Sequence, residues 1–220
     1  MQTDRDRLEA LAGAVAKAEP DFGEQGRRVA LATYRRLAEG SPAPIADIAE
    51  RCHEDAAFVE ASLGSWPGVF RDDNGDVVGF WGLTIAKLVP THAMEVGGKD
   101  LFAWCAWDTL FLPGILGAEA RVESSCPVTA QMITLVVDPG GVLQRSHADA
   151  VVSFLVPDRG LDADVIQSFC HFVHFFASRE AGETWTAEHP GTFLLSLADA
   201  FELGRLVNAR NFPSLAGEAA

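Results

Sequence analysis

Four cysteines, Cys52, Cys105, Cys126 and Cys170, carry most of the chemical potential of this 220-residue chain. None stands at the short C-x-x-C spacing of a zinc knuckle or a dithiol redox site. Each therefore reads as a free thiol whose default fate is burial as a small hydrophobe. Cys105, in Trp104-Cys105-Ala106-Trp107-Asp108, is set apart by the acid three residues on. On a helix, Asp108 shares a face with Cys105, and a helix start there favours a thiolate through its unpaired N–H groups and dipole. An ordinary thiol, with a pKa of about 8.5, is only a few per cent ionised at neutral pH, so a carboxylate able to take its proton serves a nucleophile for soft metals.

Cys170, in Ser168-Phe169-Cys170-His171, opens the aromatic stretch His171-Phe172-Val173-His174-Phe175-Phe176, which suits the wall of an apolar pocket. Two thiols and one acid match the ligand preference of a thiophilic metal. Spacing does not establish that they meet, and on spacing alone packing outweighs chemistry for each cysteine. His171 and His174 read as a strand pair three apart, on opposite faces, which argues against a histidine metal site. Cys126, before Pro127, and Cys52, beside His53, read as packing residues. No Gly-rich phosphate loop, G-x-S-x-G elbow or H-E-x-x-H helix occurs.

The elements that must position these groups divide near residue 85. Upstream, residues 5–17 and 23–39 are amphipathic helices, and residues 44–50 and 55–63 form a helix-turn-helix rhythm after Ser41-Pro42-Ala43-Pro44. Two strands, 69–71 and 77–81, flank the turn Asp72-Asp73-Asn74-Gly75-Asp76. Residues 1–85 thus read as a helical, winged-helix-like module. Its second helix, Glu54-Asp55-Ala56-Ala57-Phe58-Val59-Glu60, would meet phosphate with acid, so a scaffold or lid outweighs DNA binding. Residues 86–220 read as a mixed domain: helical spacing in 101–116, strands at 120–125, 131–137, 151–156 and 171–177, and a terminal helix at 196–211. The fold class expected is α+β, with the N-terminal module packed on the C-terminal domain that holds the site.

A composition of 48% hydrophobic and 22% charged residues is that of a globular protein, and the net charge of −14 leaves no basic footprint for nucleic acid or anionic lipid. Apolar runs are strand-sized, short of the roughly 18 to 20 residues that span a bilayer. The charged start Met1-Gln2-Thr3-Asp4-Arg5-Asp6 is unlike a secretory signal, so a cytoplasmic location is expected.

Three ordered blocks resemble the bacterial organomercurial (alkylmercury) lyases: Leu101-Phe102-Ala103-Trp104-Cys105-Ala106-Trp107-Asp108-Thr109-Leu110, Ala120-Arg121-Val122-Glu123-Ser124-Ser125-Cys126, and the run from Gln167 to Ser178 around Phe169-Cys170-His171. The resemblance covers most of residues 69–212. It implies that Cys105, Cys170 and Asp108 are the catalytic residues, the two thiols attacking and Asp108 relaying the proton, that the same three hold mercury as substrate and product, and that Cys126 is structural. It further implies an organomercurial substrate, no cofactor, small thiols that assist release, and mercuric reductase as recipient of Hg(II). One departure is His171, where a well-known member has a second adjacent cysteine. Phe102, Trp104, Phe169 and Phe172 are expected to line an apolar pocket. Two alternatives use the same thiols: a non-catalytic protein that binds mercury or copper, and a winged-helix mercury sensor, which the charge balance disfavours.

Overall fold

The computed structural model describes residues 2–157, 160–162, 164–213 and 215. Four helices come first: α1 (Gln2–Ala18), α2 (Gly23–Leu37), α3 (Ile45–Cys52) and α4 (Ala56–Ser65). On α2 the buried residues Val29, Ala30, Thr33 and Leu37 recur three to four apart, so one face packs inward. Pro44 leaves the chain extended ahead of α3, and His53 ends that helix in the left-handed region. Asp55 caps α4 by accepting the Ala57 N–H at 2.8 Å.

The hairpin β1 (Val69–Arg71) and β2 (Val77–Phe80) follows. The Asp72 carboxylate holds its turn by accepting the N–H groups of Asn74 and Asp76, and Gly75 takes a φ of 85°. Next come β3 (Leu83–Thr84), β4 (His92–Val96), β5 (Lys99–Ala103), α5 (Asp108–Leu116), β6 (Ala120–Ser125), β7 (Met132–Asp138), β8 (Gly141–Arg145) and β9 (Val151–Leu155). The chain closes with α6 (Val165–Ser168), a 3-10 turn at Cys170–Phe172, β10 (Phe175–Phe176), α7 (Arg179–Glu188), β11 (Thr192–Ser196) and α8 (Leu197–Asn211).

The architecture is mixed α+β. An eight-stranded antiparallel sheet runs β1-β2-β3-β5-β4-β6-β7-β8, and a smaller sheet runs β10-β9-β11. In β6, Ala120, Val122 and Ser124 are buried while Arg121, Glu123 and Ser125 face outward, the period of two that a half-buried strand requires. The N-terminal helices and hairpin occur in the expected order. The hairpin forms one edge of the large sheet, because β2 pairs with β3 and β3 with β5.

Two expectations are corrected. Residues 101–116 are not one helical segment: Leu101, Phe102 and Ala103 pair with β3 and β4, and the helix starts only at Asp108. Residues 171–177 are not one strand. The Ser153 hydroxyl donates to Phe172 O at 2.8 Å and accepts the His174 N–H at 2.9 Å, so this backbone bonds to a side chain where a strand would bond to a neighbour. Elements β3, β8, α6, α7 and β11 went unread.

Helix α8 packs on α1 and α5. Asn208 donates its amide to Phe111 O at 3.0 Å, and the Trp107 indole donates to Ala200 O at 3.0 Å. At Gly204 the helices approach so closely that an added Cβ would lie 2.6 Å from Phe111 Cβ. Overpacking of this kind typically costs about 1 to 3 kcal/mol. Gly204→Ala is therefore expected to lower unfolding stability by that amount; an unchanged urea midpoint would show that α8 slides freely on α5.

Candidate active site

Cys105 lies in the bend between β5 and α5, and three backbone bonds fix it. Trp104 N–H donates to Gly82 O at 2.9 Å, Cys105 N–H donates to the Asp108 carboxylate at 2.7 Å, and Ala106 N–H donates to Val173 O at 3.1 Å. The second is a side chain of the first helical turn reaching back to an unpaired N–H, as in a capping box. The third joins this bend to the segment that carries Cys170. Cys170 itself sits at the head of the 3-10 turn, whose far end Ser153 clamps.

The two Sγ atoms and an Asp108 carboxylate oxygen all lie within 4.8 Å of one another. All three residues are buried: Cys105 is 0%, Cys170 4% and Asp108 5% exposed. Among the described residues this is the one cluster of three His, Cys, Asp or Glu side chains that could hold a metal ion.

Gly82 completes the cradle. Its φ of 92° is open to glycine, and a Cβ there would lie 2.8 Å from Asp108 Oδ1 and 2.9 Å from its Cγ. The close approach of the β2–β3 turn to the carboxyl thus depends on a missing side chain. Sequence reading passed over this glycine, although Gly79-Phe80-Trp81-Gly82 carried a positional signal for a tight turn.

Burial governs the protonation of the cluster. It pushes the Asp108 carboxyl from 3.8 up to about 7, against the opposing hydrogen bonds from the Cys105 thiol and from the Cys105 and Trp104 N–H groups. The Cys105 thiol is raised well above its ordinary value, first by burial, then by its hydrogen bond to Cys170 and the nearby Asp108 charge. Cys170 gains a lowering hydrogen bond from Cys105, yet burial and Asp108 together leave it raised. A thiolate favoured by the start of α5, as the spacing suggested, is therefore not the resting state. The site rests with neutral thiols beside an acid poised near neutrality, suited to a ligand that displaces thiol protons and to a carboxyl that receives them.

A narrow cavity opens onto Asp108 and Cys170, walled by Tyr34, Trp81, Trp104, Trp107 and Phe169. Of the four expected wall residues, Trp104 and Phe169 are present; Phe172 lines a separate pocket, and Phe102 is outside this lining. Tyr34 and Trp81 were missed because each lies in an element read only for its packing, and Trp107, although inside the Cys105–Asp108 block, was not read as a wall. Tyr34 comes from α2 and donates its hydroxyl to Trp81 O at 2.8 Å.

The remaining candidates lie outside the cluster. Cys126 is buried at the end of β6; burial raises its thiol, but hydrogen bonds from the Thr129 hydroxyl and from the backbone of Ala177, Thr129 and Val128 bring it below the usual value. Cys52 is buried on α3, and its thiol donates to Ala49 O at 3.6 Å. His174 donates through Nε2 to the backbone oxygen of His171 at 2.7 Å, and burial lowers its pKa to about 4. The two histidines are thus joined side chain to backbone.

Residues 88–208 match the family model for alkylmercury lyase. The alkylmercury lyase of Staphylococcus epidermidis is 42% identical over 193 residues, covering 85% of this chain and 87% of that protein. That of Bacillus cereus is 41% identical over 190 residues, covering 86% and 84%. That of Pseudomonas putida is 39% identical over 173 residues, covering 79% of each. A crystal structure of the mercury-bound form of MerB2 aligns with a TM-score of 0.71 over 91% of this chain and 96% of its own, and at 23% identity this likeness concerns the fold.

The raised Asp108 carboxyl has a measurable consequence. A group whose folded pKa lies above its unfolded value supports folding fully below the unfolded pKa and loses that support as pH rises through the folded one. Asp108→Asn is therefore expected to gain stability relative to wild type as pH rises from about 4 to beyond 7, by up to about 4 kcal/mol. Urea unfolding of both proteins at pH 5 and pH 8 checks this; a difference that ignores pH would mean that Asp108 ionises freely.

Proposed function

This chain belongs to the alkylmercury lyase family, and from that premise we propose that Cys105, Cys170 and Asp108 together cleave the carbon–mercury bond of an organomercurial by protonolysis. The observation that carries the reading is the enclosed meeting of two sulfurs and one carboxyl within 4.8 Å.

Sulfur is the side-chain donor that soft metals prefer, so mercury enters as substrate and exchanges its small ligand for a cysteine. The Cys105 thiol hydrogen-bonds to Asp108, which accepts its proton as the S–Hg bond forms. The second thiol then adds to mercury and gives its proton to Asp108, which has passed the first one on to the departing small ligand; this raises the electron density on mercury and on the carbon bonded to it. Asp108 then protonates that carbon, the hydrocarbon leaves, and Hg(II) stays between the two sulfurs. An acid with a pKa of about 7 is matched to this double duty, since it both accepts and gives a proton near neutral pH. The aromatic walls favour an apolar organic group and exclude water that would compete for the proton.

The reaction so written consumes no cofactor. Hg(II) leaves by exchange with small thiols, and mercuric reductase is the proposed recipient. We divide the chain into a covering module, residues 1–85, and a catalytic domain, residues 86–220. Support comes from the cavity: the first contributes Tyr34, Trp81 and Gly82, and the second contributes the reacting groups.

Headspace analysis for methane or benzene, after methylmercury or phenylmercury is added to the purified protein with excess thiol, tests the proposal. Wild type releases hydrocarbon, Cys105→Ser and Cys170→Ser release none, and Cys52→Ser behaves as wild type. Asp108→Ala still binds the organomercurial but turns over about 10²- to 10⁴-fold more slowly, the usual worth of a positioned acid. A site that only stored the metal would need the sulfurs and not the acid, so full binding with no hydrocarbon from wild type overturns the reading. Gly82→Ala, which pushes on Asp108, is expected to slow release at least roughly tenfold while two-sulfur mercury binding persists; wild-type turnover would show that the carboxyl tolerates displacement.

A further inference from the structure

Cleavage by two thiols moves two protons, and only one of them reaches carbon. For a substrate R–Hg–X, in which X is a small ligand, R–Hg–X and two thiols give R–H, S–Hg–S and H–X. Two S–H bonds, the Hg–C bond and the Hg–X bond break; two S–Hg bonds, one C–H bond and one X–H bond form. A carboxyl carries one proton at a time. Asp108 must discharge the proton of the first thiol before it can take the second, which the carbon needs.

A second carboxyl is built into the same cavity. Glu19, one residue beyond α1, lines it together with Asp108 and Cys170. Its carboxylate accepts a hydrogen bond from the Asn211 amide at the end of α8. Burial raises Glu19 to about 7; the Asn211 hydrogen bond opposes this, and repulsion from Asp108 adds to it. The groups that face it are thus Asn211 from α8, Asp108 from α5 and Tyr34 from α2, whose phenol is held protonated by burial and by both carboxyls. Two carboxyls that line one desolvated cavity and are both raised toward neutrality can each take and give a proton at the same pH, the condition for passing one between them.

We propose that Glu19 is the second proton station of this site: it receives the first thiol's proton from Asp108 and delivers it to the departing ligand X, a small thiolate or hydroxide. Asp108 is thereby free to take the second proton to carbon. This rests on the protonolysis reading above. Glu19 acts through Asp108 and the leaving ligand, without touching mercury or carbon.

The bond to Asn211 also ties α1 to α8, so the test must separate proton delivery from scaffolding. Single-turnover benzene release is measured with phenylmercury carried on either of two ligands, a weakly basic aromatic thiolate or a strongly basic alkyl thiolate. The second has greater need of a proton to leave. Wild type is expected to release benzene at similar rates from both. In Glu19→Gln the alkyl-thiolate reaction slows roughly tenfold or more and the aromatic one less than about threefold, and added acetate restores the slow reaction. Asn211→Ala cuts the link to α8 but leaves the carboxyl, and is expected to keep the wild-type ratio between carriers. Equal slowing with both carriers in Glu19→Gln, no slowing, or a Glu19→Gln-like ratio in Asn211→Ala overturns the role of Glu19. A wild type that yields no benzene from either carrier overturns the protonolysis reading itself.

Discussion

A carboxyl group buried beside two thiols is costly, because transfer of a charge out of water costs several kcal/mol unless it is paired or neutralised. Asp108 meets that cost in two ways. It accepts the Cys105 N–H at 2.7 Å, and its affinity for a proton rises until the neutral form competes near pH 7. The surroundings keep this cost in place: aromatic walls enclose the carboxyl, and the β2–β3 turn presses a glycine against it. A solvated Asp108 would be a poor acid at neutral pH; a desolvated one both takes and gives a proton there.

Because the pocket itself is destabilising, its placement depends on rigid neighbours. Ser153, fully buried on β9, uses its hydroxyl twice, on Phe172 O and on His174 N–H, and its own N–H donates to His174 O at 3.0 Å. These bonds shape a segment with little regular structure and present Cys170 from one side. The Ala106–Val173 bond then sets the Cys105 bend against it. The two sulfurs are held by backbone on both sides, so the pair is preformed and a ligand that took both would leave little ordering to be done.

The N-terminal helices contribute chemistry by enclosure. Tyr34 on α2 holds the Trp81 carbonyl, Trp81 leads into Gly82, and Gly82 takes the Trp104 N–H. One chain of bonds therefore runs from α2 through the β2–β3 turn to the residue beside Cys105. The Trp81 and Trp104 indole N–H groups are buried without a protein partner, among the few such groups in the described residues, and both residues wall the cavity.

The sequence by itself determined the elements whose signal is local and the α+β class, and it singled out the candidate reactive groups: α1 to α4, the β1–β2 hairpin, β6 and α8 follow from helical or alternating patterns and turn residues, β9 from a short apolar run, and Cys105, Asp108 and Cys170 stood out by type, neighbours and family resemblance. It misassigned the stretches that hold those groups. Residues 101–107 and 170–177 take their shape from hydrogen bonds to Gly82, Val173 and Ser153, partners remote in sequence, and local propensity has no access to such bonds. Tertiary structure alone decided that two thiols 65 residues apart meet, that Gly82 lies against Asp108, that Glu19 lines the same cavity, and that burial raises both thiols. The physical reason is one and the same: burial is a property of the assembled fold, and it is burial that reverses the thiolate expected at a helix start and lifts Asp108 into the neutral range.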